Sequence, residues 1–141
     1  MSFSNTNEGD FMVEEKLDYK LEPLYKYKGV VLRVVDGDTV ETMIDMGFKM
    51  FTKQRLRIDA IDTPETWRPK SEAEKIHGEA AKTRAIELLE GKEVIFTTSK
   101  SVGIYGRFGA SITLENGQDY ATLMINEGFE KKENYVVEET S

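Results

Sequence analysis

Residues 27–35, YKGVVLRVV, form a β-branched run that stops at Asp36-Gly37. β-Branched side chains pack well on a pleated surface, and Asp-Gly is a strong short-range hairpin signal. The next run, DTVETMID (38–45), reads as a second strand, Met46-Gly47-Phe48 as a second turn, and KMFTKQRLRIDAI (49–61) as a third strand. Three strands joined by tight turns make an antiparallel meander, which constrains the first half of the fold more than any other feature does.

The second half changes period. Pro64 and Pro69 interrupt TPETWRPKSEAEK (63–75), which reads as a loop. From Ile76 to Glu90 the spacing predicts a helix, with Ala81, Ala85, Leu88 and Leu89 on one stripe and Gly91 at the C-terminal cap. KEVIFTTS (92–99) and FGASITLENG (108–117) read as strands around a Gly-rich loop, and DYATLMINEGF (119–129) as a short helix ending at Gly128. The order predicts a β-barrel with helices (α+β), an OB-type five-stranded Greek-key barrel with one helix between strands 3 and 4 and a short helix after strand 5. Phe51, Leu56, Ile58, Ile95 and Ile112 are expected in the core. Leu123, Met124 and Phe129 are expected to seat the short helix.

At 141 residues the chain has room for one compact domain. The expected organisation is a flexible acidic arm (1–24), a barrel domain (25–132) and a short acidic tail (133–141). The net charge of −7 resides at the ends: residues 1–24 carry six acids against two lysines, and 133–141 carry three acids. The body is therefore neutral, and a neutral body can still focus positive potential in one cleft. No cysteine is present, which excludes disulfides and thiolate metal sites. Without a signal-like start or a membrane-length apolar run, the expectation is a cytoplasmic monomer with no membrane contact, its acidic arm open to a protein partner.

Three short patches concentrate the unusual charge: DGDT (36–39), RIDAIDTPE (57–65) and YGR (105–107). Each alone passes as ordinary turn or strand-exit chemistry. Together and in this order, around this strand–helix plan, they resemble the staphylococcal (micrococcal) nuclease, or thermonuclease-like, family over about residues 29–129. The resemblance implies hydrolysis of DNA or RNA to 3′-phosphate and 5′-hydroxyl ends with calcium (Ca²⁺) as cofactor. It implies that Asp38, Asp62 and the Thr63 carbonyl bind the metal, with Asp36 close behind them. It makes Glu65 the general base, Arg57 and Arg107 the phosphate grip, and Tyr105 and Tyr135 substrate contacts. The alternative is a non-catalytic OB-fold module that binds nucleic acid or protein. Such a module has little use for acids, and here Asp38, Asp62, Glu65, Arg57 and Arg107 are all present.

Physical chemistry explains why these residue types travel together. Two unit charges 4 Å apart interact by ~4 kcal/mol at an effective dielectric of ~20, so bare carboxylates would repel a phosphodiester. A divalent cation with hard oxygen ligands reverses that sign, and guanidinium forks match phosphate oxygens. Arg57 and Asp62 are five residues apart, and strict alternation would put them on opposite faces. Their convergence requires a bend, bulge or strand end near Asp59-Ala60.

The remaining polar residues have plainer readings. His77, the single histidine, reads as a surface residue, and Lys131-Lys132 as a solvated helix end. Trp67 reads as a loop anchor, with stacking on a nucleobase as the other reading. Three features depart from the family pattern: Ile104 stands where a lysine often precedes the tyrosine, only thirteen residues follow Gly128 where the family usually continues into a third helix, and the chain is acidic where many relatives are basic.

Overall fold

The β-branched run becomes β1 (Lys26–Asp36), followed by β2 (Thr39–Asp45) and β3 (Phe51–Ile58) as successive antiparallel partners. The computed structural model describes residues 25–103, 107–133 and 135, so the expectations for the arm, for Tyr105 and for most of the tail lie outside the described residues. After the meander come α1 (Glu72–Leu89), β4 (Glu93–Val102), β5 (Phe108–Thr113) and α2 (Tyr120–Asn126). The strands close into a barrel in the order β1-β2-β3-β5-β4. β3 pairs with β5 in parallel, while every other pairing is antiparallel.

Inward positions of the strands fill the barrel. Val31, Val40, Leu56, Ile58, Phe96 and Ile112 are buried almost completely, and each such side chain contributes about 1.5–3 kcal/mol relative to exposure. Phe51 and Ile95 do not join them, being 62% and 42% exposed. Phe51 shares its phase with Lys53 and Arg55, which face outward, and Ile95 lies between the inward Val94 and Phe96. On the outer surface, Arg33 and Arg55 flank Glu41 on neighbouring strands, and their hydrogen bonds hold its carboxyl down at about 2.

α1 starts four residues before the expected Ile76. Ser71 accepts a hydrogen bond from the amide of Glu74 at 3.1 Å, an N-cap three residues ahead of its partner. The buried face of α1 is Glu74, Gly78, Ala81, Ala85 and Leu89. Its small residues let the helix lie close to the barrel, and its one acid does separate work described below. α2 is capped by Asp119, and its Tyr120 and Met124 are fully buried, with Leu123 and Phe129 packed partly into the same core. No helix among the described residues is long and apolar enough to cross a membrane.

Candidate active site

Barrel register assembles the charged cluster. Thr39, first in β2, pairs with Arg57 near the end of β3, and Arg57 pairs on its other side with Gly109 in β5. The Asp36-Gly37 turn is pinned from two directions: the buried Tyr120 hydroxyl donates to the Gly37 carbonyl, and Ile58 N–H donates to the Asp38 carbonyl at 2.7 Å. Gly37 has no left-handed backbone. Its requirement is space, because a β-carbon there would come within 2.7 Å of the Thr63 methyl.

β3 ends at Ile58 and the chain turns at Asp59-Ala60, the break that convergence of Arg57 and Asp62 demands. The Arg57 guanidinium holds this turn from within. Its Nη1 donates to the Ile58 carbonyl and, at 2.7 Å, to the Ile61 carbonyl. Its Nη2 lies 3.1 Å from Asp62 Oδ1 and 3.4 Å from Asp38 Oδ2. Asp38 Oδ2 also accepts the Thr63 amide at 3.0 Å, and its Oδ1 accepts the Thr39 hydroxyl at 3.0 Å. Arg107 Nη1 reaches that hydroxyl at 3.4 Å, so the two arginines address Asp38 from opposite oxygens, one directly and one through Thr39. Asp38 also helps push the buried Tyr120 hydroxyl far up, though burial contributes more.

Glu65 is exposed on the loop beyond Thr63, and that loop is tied down from below. Glu74, 1% exposed on α1, accepts the amides of Glu65 at 3.4 Å and Lys70 at 3.0 Å, and pairs with Lys131 Nζ at 3.6 Å. Burial pushes the Glu74 carboxyl up, but the two amides and Lys131 outweigh it and hold it below the usual range. Gly78 brings α1 against the same loop: a β-carbon there would meet the Pro64 and Glu65 carbonyl oxygens at 2.8 Å. Thr66 donates to Asp36, closing the loop onto the β1–β2 turn. Burial raises the Glu65 carboxyl, Lys131 opposes that, and Asp36, Asp38 and Asp62 raise it further. Lys131 is thus no solvated helix end, and its backbone N–H also donates to the Asp62 carbonyl at 2.6 Å.

The structure therefore brings Asp36, Asp38, Arg57, Asp62, Thr63, Glu65 and Arg107 into one connected neighbourhood. Tyr135 is engaged elsewhere. His77 Nε2 lies 2.7 Å from the Gly128 carbonyl, which can only accept, so Nε2 carries the proton and Nδ1 accepts the Tyr135 hydroxyl at 2.8 Å. His77 is accordingly half-buried and clasped, not a bare surface residue. Sequence reasoning missed Thr39, Glu74, Gly78 and Tyr120. The Ser71-x-x-Glu74 spacing is a capping signature that could have found Glu74, but nothing in the sequence marks its carboxylate as a tether for the Glu65 loop.

The oxygen donors that a hard cation would need lie close together here. The Asp38 and Asp62 carboxylates both contact one Arg57 nitrogen, so a single cationic position already serves both, and Thr63 adds backbone and a buried hydroxyl that lacks a hydrogen-bond partner. These are hard oxygen donors of the kind calcium and magnesium prefer. Among the described residues no three acidic or histidine side chains converge as a metal cluster, so such an ion would rely on backbone or water for its remaining ligands.

A closed five-stranded barrel carrying guanidiniums and carboxylates at one strand end defines a nuclease-like domain of OB type. Residues 55–140 match the family of staphylococcal nuclease homologues, and the chain belongs to that family. Asp36 and Asp38 precede the matched segment and join it through the Thr66–Asp36 and Ile58–Asp38 hydrogen bonds. No curated protein matches the chain.

Proposed function

We propose that the protein is a calcium-dependent phosphodiesterase that hydrolyses DNA or RNA, leaving 3′-phosphate and 5′-hydroxyl ends. The observation that carries this reading is the single cluster in which Arg57 contacts both Asp38 and Asp62 while Asp38 reaches Arg107 through Thr39. A binding module gains nothing by holding carboxylates against its phosphate grip.

In this reading Asp38, Asp62 and the Thr63 carbonyl hold Ca²⁺, which supplies positive charge to offset the anionic ester. Arg57 and Arg107 orient the phosphate and stabilise charge that builds on its oxygens, each worth ~3–4 kcal/mol by analogy with oxyanion donors. Glu65, its carboxyl raised by burial and by neighbouring acids, takes a proton from the attacking water, a role worth roughly 10²–10⁴ in rate. The P–O5′ bond breaks as the new P–O bond forms, and the departing 5′ oxygen takes a proton from solvent to leave as the hydroxyl, balancing the one Glu65 removes. Tyr105 is assigned to the phosphate by the family resemblance alone, and any substrate contact of Tyr135 falls to its ring, since its hydroxyl serves His77.

The test is digestion of single-stranded DNA and of RNA with Ca²⁺ or with chelator, beside Glu65→Gln and Arg57→Ala. Cleavage that needs Ca²⁺ and is lost in both variants supports the assignment. Cleavage that survives chelation and both substitutions sinks it, and tight binding without cleavage would instead identify a binding module.

A further inference from the structure

Trp67 is the chain's single tryptophan, and it is 71% exposed, so it does not anchor its loop. Anchoring falls to its neighbours: Thr66 bonds Asp36, and the amides of Glu65 and Lys70 bond Glu74. An indole left in water by a loop that is otherwise tied down calls for another explanation. Arg68 supplies part of it. Its backbone is held at φ +55°, an uncommon left-handed conformation for a side-chain-bearing residue, and its guanidinium carbon stacks 4.4 Å from the Trp67 ring centroid. With one face under the guanidinium, so high an exposure leaves the opposite face to solvent.

We propose that Trp67, backed by Arg68, is a nucleobase-stacking platform that holds a base beside the scissile phosphate and selects unpaired nucleic acid over duplex. The position next to the scissile phosphate rests on the nuclease reading above, because Trp67 follows Glu65 by two residues and their Cα atoms are at most about 7 Å apart. The stacking itself does not depend on that reading. Every base presents a π-face, so the platform is sequence-tolerant, whereas a base inside a duplex already stacks on its neighbours. The cation behind the indole adds positive charge where a chain of net charge −7 needs it. Stacking also supplies affinity that salt does not screen, which suits a body lacking broad basic attraction.

Because Trp67 is the sole indole, its fluorescence reports the contact directly. The full chain, kept in chelator, is titrated with a short oligothymidylate, with the same oligomer made abasic, and with a duplex. Quenching by the oligothymidylate alone is expected. Anisotropy of labelled oligomers should show about tenfold weaker binding for Trp67→Ala and for the abasic strand, with Trp67→Phe recovering most of the loss. Equal quenching by the abasic strand, or unchanged affinity in Trp67→Ala, overturns the platform. The two readings separate cleanly. Quenching without cleavage at any Ca²⁺ concentration keeps the platform and removes the nuclease, while Ca²⁺-dependent cleavage with no quenching does the reverse. The exposed position makes an unchanged melting temperature in Trp67→Ala the check on folding.

Discussion

Arg57 reaches Asp62, five residues further along the chain, at 3.1 Å, and the same nitrogen stands 3.4 Å from Asp38. One guanidinium thus closes the turn after β3 and keeps two carboxylates close together. Arg57→Ala is expected to lower kcat by about 10²–10³, the usual cost of removing a transition-state donor. Arg57→Lys should recover little, since one ammonium cannot span the Ile61 carbonyl and both carboxylates in a planar fork. Steady-state cleavage of single-stranded DNA in Ca²⁺ checks this, and a lysine variant within fivefold of the parent would contradict it.

If the same pair of carboxylates holds calcium, as proposed, its binding is visible as stability. At a concentration 100 times its Kd, a ligand specific to the folded state adds about 2.7 kcal/mol. For a domain of this size that is a rise of roughly 5–15 °C in Tm. Asp62, whose side chain is 64% exposed, can be changed to Ala with little effect in chelator, and the variant should lose the Ca²⁺-dependent rise. Differential scanning calorimetry with and without Ca²⁺ decides it. An undiminished rise in Asp62→Ala would place the ion elsewhere.

Much of this was legible in the sequence because local rules dominate it. Asp36-Gly37 and the β-branched runs dictate the meander, and the alternation of Leu56 and Ile58 marks the buried phase of β3. Phe51 and Ile95 depart from the expected core because strand phase, not hydrophobicity, decides burial: both occupy outward positions, where a large apolar residue is tolerated at the surface. The cluster's first members were legible as motifs, yet its supports were not. Glu74, Gly78 and Tyr120 act on partners outside their own elements, 9, 13 or 14, and 83 residues away in sequence, and no local pattern encodes such contacts.

Gly78 offers a test with a reversed sign. Gly→Ala in a helix interior ordinarily gains up to about 1 kcal/mol. Here the added carbon would meet two carbonyl oxygens at 2.8 Å, so Gly78→Ala should instead cost about 1–3 kcal/mol and displace Glu65. Urea unfolding should show a lower midpoint, accompanied by a fall in kcat. A stabilised variant with full activity would mean that α1 does not press on the loop.

Glu65 is held against its electrostatic preference, because partial burial of its carboxyl, with Asp36, Asp38 and Asp62 nearby, outweighs the attraction of Lys131. Glu65→Gln removes that repulsion while keeping the shape. The variant is expected to lose cleavage and yet melt higher than the parent at neutral pH in chelator. Paired thermal melts and digestions test both halves, and an inactive variant that melts lower would deny that the site carries this strain.

Glu74 should behave in the opposite sense. Its folded carboxyl titrates below the ordinary glutamate range because two amides and Lys131 favour the charged form over the effect of burial. A depressed folded value means that the unfolded state binds the proton first as pH falls. The stability Glu74 contributes is therefore fully present above the ordinary range and is lost on acidification through the lower folded value. Glu74→Gln should cost about 1–3 kcal/mol near pH 7, where a neutral amide opposes Lys131 in place of an anion. Glu74→Ala should cost about 3–5 kcal/mol, leaving the amides of Glu65 and Lys70 without their acceptor. Denaturant unfolding across pH checks the sign: the gap between parent and Glu74→Gln should narrow below about pH 4. A gap that widens toward acid would show that the buried carboxyl is protonated in the native state and that Lys131 pairs with something else.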